Sequence, residues 1–255
     1  PIGNALAYGL MHVLSVDKVN ELYDRNAGLS GVDFSSAVLR NIGLDYIVSC
    51  DETMSGLPDG PFITISNHPC GHVDGITLID YFARQRPDYK VMVNKILAGI
   101  KPLEDNFIPV TPIGKEKGTP DAESVRGVKA ALRHLRAGGA LGLFPAGAVS
   151  DFSLKDRRVR DRQWQEPVIK LIMKARVPVV PVYFHDGNSS FYYFLGLIDW
   201  RIRLLRLPGE VFNKSGMTMH VKIGPVISVE DISRYGNDWV VLSDFLRARV
   251  YGMVK

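Results

Sequence analysis

Short apolar runs, each closed by turn-forming residues, set the rhythm of the chain. Tyr46–Ser49, Phe62–Ser66, Val91–Val93, Phe107–Val110, Leu141–Phe144, Val177–Phe184 and His220–Ile223 are rich in β-branched and aromatic residues and too short for helices, so they read as strands. Between them lie apolar residues at helical spacing. One helix is expected to open at Thr119-Pro120-Asp121, where a capping residue, a first-turn proline and an acid near the positive end of the dipole coincide. Val125, Val128, Leu132 and Leu135 form its predicted buried stripe, and Gly138-Gly139 stops it. Ile76–Phe82 is a further apolar helix. Near the start, Leu6, Leu10, Met11 and Leu14 recur at helical spacing, and Val16-Asp17 opens a second helical segment. Alternation of strands and helices predicts an α/β fold, a mixed, largely parallel sheet flanked by helices. Residues 1–42 are expected to form a helical appendage, with a possible membrane contact, and residues 43–255 one larger domain.

Composition narrows the function classes. With 255 residues, 46% of them hydrophobic, the chain fills one sizeable core and is not a disordered protein. No run approaches the ~18–20 apolar residues needed to cross a bilayer, so no membrane span is expected. Two cysteines, Cys50 and Cys70, are too few for a disulfide framework, which points to a reducing, cytoplasmic setting. The net charge of +4 favours an acidic partner such as anionic lipid or an acidic carrier protein. Nucleic acid is not expected, because aromatic and basic residues are not interleaved as in a recognised binding module. Phe191–Leu207 joins aromatics and aliphatics to Arg201, Arg203 and Arg206, with Asp199 its only acid. It reads as core strands with snorkelling arginines, and alternatively as a segment lying apolar side down in a lipid interface.

The chemistry concentrates in Ile63-Thr64-Ile65-Ser66-Asn67-His68-Pro69-Cys70-Gly71-His72-Val73-Asp74-Gly75, where a strand passes through a Pro/Gly turn into a helix. His68 and Asp74 thereby fall at a strand's C-terminal end, where open α/β sheets bind ligands. A carboxylate on one imidazole nitrogen fixes the tautomer and leaves the other nitrogen free to take a proton from an attacking hydroxyl. The competing reading is that the pair only stitches the turn together. Cys70 invites a thioester-cleaving nucleophile, although small buried cysteines are common. His68, Cys70, His72 and Asp74 alternate as metal ligands would on a strand, but Pro69 and Gly71 argue against a regular strand, and no metal is expected.

Two later blocks follow in order, Phe144-Pro145-Ala146-Gly147-Ala148-Val149-Ser150 and Val177-Pro178-Val179-Val180-Pro181-Val182. Together with Asn67-His68-Pro69 they resemble the glycerolipid acyltransferase superfamily, whose best-known members acylate 1-acylglycerol-3-phosphate. The resemblance runs from about Phe62 to Val182. It implies that residues 43–255 are an acyltransferase domain, with His68 as base, Asp74 as its partner and no cofactor. By the same resemblance Asn67, Gly71, Gly75, Phe144, Pro145, Gly147 and Ser150 line the substrate site; Arg157 and Arg158, in a basic stretch with Lys155, Arg160 and Arg162, read either as compensating cations or as a solvated charged surface with Asp156 and Asp161 interspersed. Backbone N–H groups near Gly75 or Gly147 would bind the oxyanion.

Three departures refine this. Five residues, not four, separate His68 from Asp74, a form similar to a bacterial hemolysin-like subgroup that acylates ornithine- or glycine-containing lyso-lipids. Ala146 stands where the family has glutamate. The second block, Phe107-Ile108-Pro109-Val110-Thr111-Pro112, lacks the arginine that grips an acceptor phosphate. The resemblance therefore implies transfer of a fatty acyl chain from an acyl-carrier-protein or coenzyme A thioester to a lyso-aminolipid, by an enzyme peripheral on the inner face of the cell membrane. The alternatives are a 1-acylglycerol-3-phosphate acyltransferase and a non-catalytic lipid-binding module.

Overall fold

The computed structural model describes residues 11–52, 56–111 and 122–254. Its main sheet is built from β1 (Asp45–Cys50), β2 (Phe62–Ser66), β3 (Lys90–Asn94), β4 (Phe107–Val110), β5 (Ala140–Leu143), β8 (Val179–Phe184) and β9 (Thr218–Ile223). They lie in the order β1-β9-β8-β2-β5-β3-β4. Five central and right-hand strands are parallel, while β9 runs antiparallel to β8 and pairs in parallel with β1. All seven expected strands are present, within two residues of their predicted ends.

β2 lies mid-sheet, with Ile63 between Leu141 of β5 and Val179 of β8. All five of its residues are buried, as a parallel strand covered on both faces requires. Its alternate side chains feed two cores. Phe62 faces Phe34 and Val38 of α2 (Gly31–Ile42) and Leu78, Ile79 and Phe82 of α3 (His72–Gln85). Ile63 and Ile65 face Leu132 and Leu135 of α4 (Ala122–Arg136), Ile169 and Ile172 of α5 (Glu166–Ala175) and Leu242 and Leu246 of α9 (Trp239–Tyr251). Each fully buried aliphatic or aromatic side chain contributes about 1.5–3 kcal/mol to this arrangement. At mid-β5 Gly142 is required, since a Cβ there would run into the Tyr89 hydroxyl. α1 (Val16–Asn26) packs on α2, and α8 (Val229–Ser233) precedes α9.

Sequence expectation and structure part company in several places. Val125 is exposed, so the buried stripe of α4 reduces to Leu132 and Leu135 with Val128 partly covered. The predicted cap at 119–121, like Leu6 and Leu10, lies outside the described residues. A two-stranded hairpin, β6 (Asp151–Ser153) with β7 (Arg158–Arg160), follows the Phe144–Ser150 block unforeseen. Residues 191–207 are not core strands. They form α6 (Ser190–Ile198) and most of α7 (Trp200–Phe212). Ser189 caps the first by accepting from the Tyr192 N–H at 3.2 Å, and Asp199 caps the second by accepting from the Arg201 N–H at 2.6 Å. No helix among the described residues is long and apolar enough to cross a membrane.

Candidate active site

The loop from β2 to α3 carries the expected pair. His68 Nδ1 lies 2.9 Å from Asp74 Oδ2, with the Asp74 side chain fully buried and that of His68 18% exposed. The same carboxylate oxygen accepts the Cys70 N–H at 2.9 Å, a helix-start contact that locks the loop around it. Asp74 Oδ1 has no partner among the described residues, so its charge is directed only at the imidazole and the turn. Nδ1–H donation to Asp74 leaves the Nε2 lone pair able to accept a proton. Phe144, at the end of β5, stacks on the His68 ring with centroids 3.9 Å apart and planes 29° apart, fixing the ring's orientation. Gly71 makes the turn possible with φ +71°, and a Cβ there would press on Leu207 of α7.

The main chain of His68 is held as firmly as its ring. Its N–H donates to Asp161 Oδ1 at 3.2 Å, and its carbonyl accepts the Ser150 N–H at 2.8 Å. Asp161, buried just after β7, also accepts the Ser150 hydroxyl at 2.6 Å and the Trp164 Nε1–H at 3.1 Å. Burial pushes its carboxyl up, and the donors of Ser150, Trp164 and His68 pull against that. The Tyr251 hydroxyl accepts the Asp161 N–H at 2.7 Å, and Arg247 donates to its carbonyl, so α9 braces the hub.

Several expected substrate contacts take other positions. Asn67 is buried and clamps the end of β8, accepting the Phe184 N–H at 2.8 Å and donating to its carbonyl at 2.9 Å. Its amide is committed to the backbone. The Ser150 hydroxyl is likewise committed, to Asp161. Pro145 is buried, and its carbonyl accepts the Gln165 N–H at 2.9 Å. Gly147, at φ +64°, gives its N–H to the Phe144 carbonyl at 2.9 Å, so that group is not a free oxyanion donor. Gly75 does sit at the site, its Cβ position 4.0 Å from the Phe144 ring. Arg157 and Arg158 are exposed at the hairpin's turn, outside the cavity described next, whereas Arg160 lines it.

That cavity, about 550 Å³, is lined by Asn67 and Pro69 on either side of His68 in sequence, by Ser150, and by Tyr193, Phe194 and Leu197 of α6. Cys70 is buried, and burial pushes its thiol well above the ordinary range, so little thiolate is present. A thioester-cleaving nucleophile finds no support there. His72, at the first turn of α3, lies near enough to the pair for its ring to feel the charges of both His68 and Asp74.

Sequence reasoning missed Asp161, Trp164 and Tyr251. Its one available signal was the acid and tryptophan following a basic stretch, at 161 and 164, which reads equally well as charged surface.

A lyso-glycine lipid O-acyltransferase of Bacteroides thetaiotaomicron is 28% identical over 227 residues, covering 86% of this chain and 79% of the relative. The lyso-glycine lipid O-acyltransferase of Phocaeicola vulgatus is 24% identical over 226 residues, covering 86% and 77%. In structure the chain is similar to PlsC, the 1-acyl-sn-glycerophosphate acyltransferase of Thermotoga maritima, with a TM-score of 0.50 at 16% identity over 98% of this chain and 96% of that one. That likeness establishes the α/β fold. The model of an acyltransferase family matches residues 3–254, nearly the whole chain, and the chain therefore belongs to this acyltransferase family and is an enzyme that transfers acyl groups.

Proposed function

We propose that the protein moves a fatty acyl chain from a thioester of acyl-carrier protein or coenzyme A to the hydroxyl of a lyso-lipid, preferably a lyso-aminolipid of the glycine type. The observation that carries the mechanism is the 2.9 Å contact between His68 Nδ1 and Asp74 Oδ2, which leaves Nε2 free, in a turn whose neighbouring residues Asn67 and Pro69 line a cavity. The acceptor hydroxyl oxygen attacks the thioester carbonyl while its proton passes to Nε2. Asp74 stabilises the imidazolium that forms. Collapse of the tetrahedral intermediate expels the thiolate, which takes the proton back from His68, leaving an ester and a free thiol. The amino-terminal end of α3, beside the pair, offers unpaired N–H groups and a positive dipole end to the oxyanion.

Two features favour an aminolipid acceptor over a phosphate-bearing one. The stretch around β4 carries no arginine, and a buried phosphate without a bidentate partner is expensive to desolvate. The relatives that match most of the chain are both lyso-glycine lipid O-acyltransferases. Arg160, at the cavity wall, is the cation we assign to the acceptor's carboxylate, and the enzyme would work peripherally on the inner face of the cell membrane. A competition between lyso-glycine lipid and lysophosphatidic acid, at equal concentration with one acyl thioester, tests the assignment. The lyso-glycine lipid is expected to win by at least tenfold in kcat/KM, about 1.4 kcal/mol. Preference for lysophosphatidic acid overturns it.

A further inference from the structure

The helical pair α6–α7 presents to solvent what soluble proteins normally cover. Phe191, Phe194 and Ile198 on α6, and Trp200, Ile202 and Leu205 on α7, are 44% to 60% exposed. On the opposite side the pair is anchored. Tyr192, Tyr193 and Leu207 pack with Val149, Phe152 and Val159, so the β6–β7 hairpin is bolted to the two helices. At the tip of that hairpin Leu154 is 71% exposed. A patch of this size rimmed by charge marks an interaction surface.

The charge says which kind. Lys155, Arg157 and Arg158 flank Leu154, and Arg201 lies over the Trp200 ring at 5.5 Å. None of these four forms an ion pair among the described residues. The nearby acids are engaged, Asp156 with Arg160 and Asp199 as the cap of α7. Apolar residues flanked by cations that are held in no ion pair match a bilayer with anionic headgroups, which takes the apolar face to a depth of roughly 5–10 Å. The patch is also continuous with the cavity, because Phe194 belongs both to it and to the lining that Asn67 and Pro69 share.

We infer that α6–α7 and the hairpin tip form the surface by which this enzyme docks on an anionic lipid bilayer, so that a lipid acceptor passes from the membrane into the cavity lined by Asn67, Pro69 and Phe194 without crossing water. This rests on the lipid-acceptor reading above. Trp200 is the built-in reporter, since Trp164 is buried and Trp239→Phe removes the third tryptophan. With vesicles of phosphatidylcholine and phosphatidylglycerol at 7:3 carrying brominated acyl chains, Trp200 fluorescence should be quenched. Ile198→Ser with Leu205→Ser should weaken vesicle sedimentation at least tenfold, with unchanged melting temperature and unchanged turnover of a detergent-dispersed acceptor. Arg157→Gln with Arg201→Gln should flatten the dependence on phosphatidylglycerol. The inference is overturned by sedimentation with Trp200 unquenched, by no vesicle binding, or by a lipid-free dimer that the Ile198/Leu205 pair breaks, which would assign the patch to a second copy. Vesicle docking as described, with no acyl transfer to any lyso-lipid, would instead sink the functional proposal.

Discussion

His68 meets Asp74 at 2.9 Å with five residues between them, across a turn in which Gly71 takes a φ of +71° that a side chain would disfavour. His68→Ala should lower kcat about 10²- to 10⁴-fold with an unchanged melting temperature, and Asp74→Asn should approach it, since an amide cannot hold an imidazolium. A histidine that merely stitched the turn would instead show activity tracking the folded fraction. Asp161 acts on His68 through its main chain. Replacing it with asparagine leaves at least one of the Ser150, Trp164 and His68 donors facing an N–H, at a cost of about 1–3 kcal/mol in urea denaturation. As a positioning residue its loss should lower kcat with KM little changed, and an unaltered kcat in the folded variant would remove it from the site. The contact of His68 with Asp74 was legible in the sequence because the two stand six residues apart across one turn from β2 into α3. Asp161 was not, since it meets His68 across 93 residues of chain. Nor was the commitment of Asn67 and Ser150 to the scaffold, which depends on Phe184 and Asp161 arriving beside them.

At the scale of elements, strands were readable because β-branched runs bounded by Gly and Pro leave few alternatives. α6 and α7 were not. In residues 191–207 apolar side chains occupy nearly every position, so neither a period of two nor one of 3.6 stands out, and the Arg201-Ile202-Arg203 alternation imitates a strand. The caps Ser189 and Asp199 were the decisive signals. Arg203 then fastens α7 to the loop behind the site: its side chain is buried, donates to the Ser150 carbonyl at 3.1 Å, and pairs with Asp151. It also lies over the Tyr192 ring at 5.1 Å. Arg203→Met keeps much of the volume but leaves these acceptors without their cation, so a loss of about 3 kcal/mol is expected by chemical denaturation. A change below about 0.5 kcal/mol, the range of ordinary surface substitutions, would show that the pair is not structural.

On the scale of the whole molecule, the site is assembled where the parallel strands end: His68 follows β2, Phe144 follows β5, and the cavity wall at His185 and Asp186 follows β8. The alternation of elements made this general location readable in advance. The reversed direction of β9 was not readable, because strand polarity depends on how far the intervening helices carry the chain. That same pairing has a bearing on how the protein is made. Ser49 of β1 lies against Val221 of β9, 172 residues further on. A ribosome adding about 5–20 residues per second needs on the order of ten to thirty seconds to deliver the partner. Throughout that interval β1 is a finished strand with an open edge, in a nascent chain that cannot yet close its sheet. The interval before β9 emerges is therefore a vulnerable one for this enzyme, and β1 is a strand that needs shelter by a chaperone while it lasts.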